Sequence, residues 1–112
     1  MNKVFVPHIV TRYDRETGRI TPVMDFSAAA LHGELATVLE EGDNPLFLNM
    51  LMAKRRRALE SFDDNDCLLC VGDPTLIAAF AAVIARRNPK ITMLIWDKSM
   101  KHYIKVEVRL GR

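Results

Sequence analysis

Cys67 and Cys70 are the first residues whose types and spacing could do chemistry. A C-x-x-C pair serves redox exchange when a helix N-terminus lowers one thiol pKa, and it binds zinc when further ligands lie close by. Here the pair falls inside Cys67-Leu68-Leu69-Cys70-Val71, a short continuous apolar run that reads as a strand. An offset of three along a strand points two side chains to opposite faces. Packing therefore explains both cysteines better than redox or metal chemistry, and no metal or cofactor is expected.

The turn that follows, Gly72-Asp73-Pro74-Thr75, joins that strand to a helix, the place where phosphate is often bound. It carries neither the G-x-x-x-x-G-K-[ST] nor the G-x-G-x-x-G pattern. Pro74 has no N–H to offer, and the Asp73 carboxylate already faces the positive end of the helix dipole, so a capping role is the stronger reading. A second loop, Asp97-Lys98-Ser99, follows the next strand. If the two strands are parallel, Asp73, Thr75, Asp97, Lys98 and Ser99 share the end of the sheet where open α/β folds place ligands. They could hold a small polar molecule. No nucleophile with a base stands among them, so no catalytic residue is assigned. The acids Asp63, Asp64 and Asp66 lack the alternation of a calcium loop and lie at the other end of the strand, which reads as a solvated connection.

Two basic features raise the question of partners. Lys54-Arg55-Arg56-Arg57 falls within a helix, where successive residues are about 100° apart, so the four cations surround the axis and form no single patch. Arg55 alone lands in the apolar stripe of Phe47, Leu48, Leu51, Met52, Ala58, Leu59 and Phe62. It must lay its stem over the core edge, pair with a buried acid, or face a partner. In the last strand Lys101, Tyr103, Lys105 and Arg109 share one face, cations around an aromatic, the ingredients of a single-strand nucleic-acid surface. Glu107 interrupts it, and a charged, solvated edge that resists aggregation reads better.

The elements that position these residues are legible in outline. Val4 to Thr11 reads as a strand, Tyr13 to Ile20 as a hairpin loop, and Ile20 to Met24 as its return. Pro7 and Pro22 each lack a ladder donor, so this hairpin is expected at the sheet edge, with His8 a partly exposed strand histidine. Asp25-Phe26-Ser27 starts a short helix for which Gly33 is a C-terminal stop, and Glu34 to Leu39 reads as a strand in preference to a helix that continues through Gly33. Helices are predicted from Pro45 to about Ser61 and from Pro74 to Arg87, the second closed by Asn88-Pro89. Ile91 to Trp96 is a second buried strand, parallel to the first across a crossover helix. Trp96 is expected in the core or an interface. Tyr103 to Leu110 should run antiparallel, with Ile104, Val106, Val108 and Leu110 turned inward. The fold class is therefore α/β and Rossmann-like: residues 1–112 as a single compact domain with a mixed, mostly parallel sheet, an N-terminal edge hairpin, a C-terminal antiparallel strand and two main packing helices.

Composition sets outer limits. The chain has 112 residues, 49% hydrophobic and 27% charged, a globular balance, and its net charge of +2 demands neither nucleic acid nor an anionic membrane. No apolar run approaches the roughly 20 residues of a membrane span. The first apolar stretch breaks at Pro7, too early for a signal-peptide core.

Cys67 to Pro74, the helical run Ala78 to Arg87, Leu94-Ile95-Trp96-Asp97-Lys98, Asp25-Phe26-Ser27 and Gly33-Glu34-Leu35 together resemble a group of small uncharacterised proteins encoded by tailed bacteriophages. The resemblance implies phage origin and the host bacterial cytoplasm, and it carries over no site residues. The sequence thus favours a non-catalytic accessory or regulatory protein. It would bind a protein partner, from the host or a second copy of itself as a homo-oligomer, through Arg55 or the last-strand residues Tyr103, Lys105 and Arg109. Nucleic-acid binding by the basic last strand is the alternative, and a small nucleotide-binding enzyme at the Gly72 and Asp97 loops comes third.

Overall fold

A computed structural model describes residues 2–9, 11–22, 26–40 and 42–110. Its main sheet has five strands: β1 (Lys3–His8), β4 (Glu34–Leu39), β5 (Cys67–Leu69), β6 (Lys90–Asp97) and β7 (His102–Arg109), in the spatial order β4-β1-β5-β6-β7. The first four are parallel and β7 is antiparallel to β6. This is the expected mixed α/β sheet, in the strand order of one common doubly wound class with its last strand reversed.

The two helices are α1 (Leu48–Glu60), entered through a 3-10 turn at Pro45–Phe47, and α2 (Pro74–Ala85). The capping reading of α2 holds: Asp73 accepts a 2.8 Å hydrogen bond from the Thr75 N–H, and Pro74 takes the first helical position. The stop holds too, with the Asn88 side chain donating to the Ile84 carbonyl at 2.9 Å. Both helices pack on one face of the sheet, where Leu51, Leu59, Leu76, Phe80 and Ile84 meet Phe5, Leu68 and Ile91. The opposite face gathers Val4, Val6, Cys67, Leu69, Leu94 and Tyr103 under the chain that links β1 to β4, through Phe26, Ala28 and Ala29. Crossovers that run in opposite directions across a sheet must use opposite faces to stay right-handed, which is the observed division.

The N-terminal region differs from the sequence reading. The hairpin forms, as β2 (Thr11–Tyr13) against β3 (Ile20–Pro22), yet it is a separate two-stranded ribbon. The predicted first strand is divided: β1 ends at His8 and sits inside the sheet, between β4 and β5. Pro7 is tolerated there because β5 pairs only with Val4 and Phe5, and the β4 register passes over position 7. The predicted return beyond Pro22 and the helix start at Asp25 lie outside the described residues. Before β4 the expected short helix is a 3-10 turn at Ala29–His32, closed at Gly33 as read. At Gly33, φ is +154° and an added Cβ would sit 2.8 Å from the Asn2 carbonyl oxygen.

Asp66 also departs from the solvated reading. It is buried, and its carboxylate accepts from the Lys3 N–H at 2.9 Å and the Asp63 N–H at 3.0 Å, tying the start of β1 to the loop before β5. Removing the acceptor strands two donors away from water. Asp66→Ala is expected to cost on the order of 2 kcal/mol in urea unfolding. A loss under about 0.5 kcal/mol would show that these donors find other partners.

Candidate functional site

Three places carry the residues that the sequence singled out, and the structure keeps them apart. The first is the end of the sheet where β1 and β5 finish. Adjacent connections leave there on opposite faces, and a cavity of about 320 Å³ is lined by Pro7, His8, Pro45, Val71, Gly72, Asp73 and Leu76. His8 Nε2 lies 3.1 Å from the Glu40 carbonyl oxygen, which can only accept, so that nitrogen carries the proton. Of the expected ligand-site residues only Asp73 lines this space. Asp97 is engaged elsewhere: its carboxylate accepts from Ser99 Oγ at 2.7 Å, the Ser99 N–H at 3.0 Å and the Met100 N–H at 3.3 Å. These bonds, the Ser99 hydroxyl foremost, hold its pKa below the ordinary carboxylate value. The group closes the β6–β7 turn, with Lys98 exposed beside it and Lys101 in the left-handed region at φ +53°. No hydrogen bond or ion pair joins the Asp73 and Asp97 clusters among the described residues.

The second place is Arg55. Its guanidinium donates from Nη2 to Asp43 Oδ2 at 3.1 Å and lies 3.5 Å from Glu40 Oε2. The side chains of Arg55 and Asp43 are only 18% and 12% exposed, so of the three readings the paired, inward one describes it. Asp43 also accepts from the Glu40 N–H at 2.8 Å. That bond, then the Arg55 guanidinium against the opposing effect of desolvation, lowers its pKa. Arg55 thus staples the loop after β4 to α1 and leaves a partner little of itself. At the entry to the same helix Leu46, Phe47 and Met50 stand exposed.

The third place is β7. Tyr103 is not the exposed stacking aromatic that the sequence suggested: it is 4% exposed and packs edge-on against Trp96, ring centroids 5.0 Å apart. The opposite face, expected to be buried, is only half covered, and Ile104 remains 39% exposed. Alternation separates two faces but does not say which one the helices reach. On the Tyr103 face Glu107 meets Lys90 at 3.0 Å and Arg109 at 3.2 Å, and its pKa is lowered, the Lys90 bond being the main cause. Lys105 has no carboxylate partner among the described residues. Cys67 and Cys70 are both free, and burial raises both thiols, which keeps them in the unreactive protonated form.

The family model of the phage Pam3 gp32-like protein matches residues 2–110. The chain belongs to that family. It is a phage protein, as the resemblance implied. No curated protein and no solved structure matches it. Among the described residues no helix is long and apolar enough to cross a membrane.

Sequence reasoning passed over His8 and Pro7 as cavity residues because it placed their strand at the edge of the sheet. The signal lay in strand order: with β1 central, its C-terminal end is the switch point. The Arg55 staple generates a test. Asp43→Ala removes both a partner and a turn acceptor and leaves a cation with little access to water, whereas Arg55→Met removes the charge and keeps the stem. The Asp43 variant should show the larger drop in urea midpoint at pH 7. A carboxylate with a lowered folded pKa contributes stability above its ordinary value of 3.8, and that contribution is lost as pH falls through the folded value. An Asp43→Asn variant should therefore lose less stability than wild type between pH 5 and pH 2, read by urea midpoints across that range; equal losses would contradict the assignment.

Proposed function

We propose that this phage protein acts by binding another protein, in the cytoplasm of the infected host, and that the open edge of β7 is where the partner docks. One observation carries the reading: among the described residues β7 is an eight-residue strand at the end of the sheet, with a neighbour on one side only and no proline or bulge in its register. A long, regular edge is a template for strand addition, which natural sheets otherwise cover, shorten or distort. Half-exposed apolar side chains flank it, Ile95 and Ile104 on one face and Trp96 on the other, at 38%, 39% and 41% exposure. Among the described residues neither helix makes a substantial contact with β7.

The nucleic-acid reading stands second. Lys101, Lys105 and Arg109 remain as cations, but their one aromatic is packed against Trp96, and Glu107 is ionised between Lys90 and Arg109. Neither base stacking nor an unbroken run of phosphate contacts is supported. An oligonucleotide titration at about 150 mM salt should show no saturation at micromolar protein, at the weak edge of non-specific binding.

A photo-crosslinking amino acid at position 105, compared with one at the exposed Leu31, tests the main reading in phage-infected cells. Protein adducts specific to position 105 are the expected result. Equal labelling at both positions, or none at either, would remove β7 as a docking edge.

A further inference from the structure

We propose that the partner at this edge is a second copy of the chain: two β7 strands pair antiparallel about a two-fold axis at Val106, merging the two sheets into one. The inference rests on the reading of β7 as a docking edge and adds the identity and register of what docks there.

The backbone sets which registers are possible. The Leu110 N–H donates to the Pro89 carbonyl at 3.0 Å, one step beyond the Lys90↔Arg109 pair. Hydrogen-bonded pairs recur at every second position of an antiparallel ladder, so Val108, Val106 and Ile104 turn their main-chain groups toward β6. Lys105, Glu107 and Arg109 turn theirs to the open edge. In a symmetric pair, outward residues must meet outward residues, which puts the axis at a residue and leaves few choices.

Charge decides among them. An axis at Lys105 sets two ammonium groups opposite each other. An axis at Glu107 opposes two carboxylates and sets Lys105 against the partner's Arg109. An axis at Ile104 shortens the overlap and uses only part of the strand. With the axis at Val106, Lys105 faces the partner's Glu107 and Glu107 faces the partner's Lys105. The same register sets Arg109 opposite the partner's Tyr103, next to the half-exposed Trp96 ring, with Ile104 beside the partner's Val108 and Val106 beside the partner's Val106. Lys105, without an acid of its own here, gains one. Edge charges ordinarily deter pairing. Here their signs alternate so that they oppose the neighbouring registers and favour one.

Sedimentation of the full chain across a concentration series tests this, with circular dichroism on each variant. Wild type is expected to pass from monomer to dimer between about 1 and 100 μM, the affinity range of small interfaces. K105E and E107K should each remain monomeric over that range, because each opposes like charges across the axis. Mixed in equal amounts they should recover the dimer, since the new carboxylate at 105 of one meets the new ammonium at 107 of the other in one half of the pair, and the native Glu107 of the first meets the native Lys105 of the second in the other half. Lys105→Pro, which deletes an outward N–H and no β6 bond, should also be monomeric with its fold intact. A wild type that stays monomeric at millimolar concentration overturns the proposal, as does a mixture that stays monomeric or single variants that still dimerise. Crosslinks from position 105 to a different protein, with purified wild type monomeric, would leave the docking edge standing and remove self-pairing. Absence of both would remove the two together.

Discussion

The fold depends on β5 being buried on both sides. It is three residues long, and Leu68 is inaccessible under the helices while Cys67 and Leu69 close the opposite face. Burying it costs little in polar groups because parallel neighbours on both sides, β1 and β6, take its backbone bonds. Asp66 ends the preceding loop by binding the first N–H of β1, so a single carboxylate sets where β5 begins and where β1 lies beside it.

From this centre the asymmetry of the molecule follows. Each parallel step needs a crossover, and α1 and α2 are the crossovers from β4 to β5 and from β5 to β6. β7 is reached by a short turn and brings no helix with it. Helical cover therefore thins out at β7, which accounts for the partial exposure of Ile95 and Ile104. The same asymmetry explains why two quite different surfaces were candidates. The switch-point cavity lies where the connections diverge, beside β1. The open edge lies where they stop.

Much of this was legible from local chemistry. Asp73 and Pro74 announce a helix start because a carboxylate and a missing N–H suit the same unsatisfied turn. The parallel β5–β6 pair follows from two apolar runs and a helix of the right length between them. What escaped the sequence depended on strand order. Pro7 reads as an edge signal by its missing donor, but a three-residue neighbour ends its pairing before that donor is required. His8 then moves from a margin to a cavity. Tyr103 and Ile104 exchanged faces for a related reason: the period of two was right, and the side on which cover lay was set by distant segments, including residues 26–29. Arg55 was flagged by its place in an apolar stripe, and the acid it needed was Asp43, twelve residues away in a loop.

The last strand shows how one set of charges supports opposite conclusions until its geometry is known. Counted together, Lys101, Lys105 and Arg109 make a basic surface. Placed in register, Glu107 bridges Lys90 and Arg109 and breaks that surface into alternating signs. A phosphate backbone presents one sign at every step, so alternation wastes contacts on it. A strand of the same chain running the other way presents the complementary alternation at the same spacing. The aromatic pair points the same way: Trp96 and Tyr103 lock edge to face and offer a base no open ring sandwich, yet Trp96 keeps enough exposed surface to receive an aliphatic stem or a guanidinium from alongside. The features that weaken the nucleic-acid reading are therefore the ones that favour a strand partner, and they do so through sign and spacing, since the net charge of the chain is nearly balanced at +2.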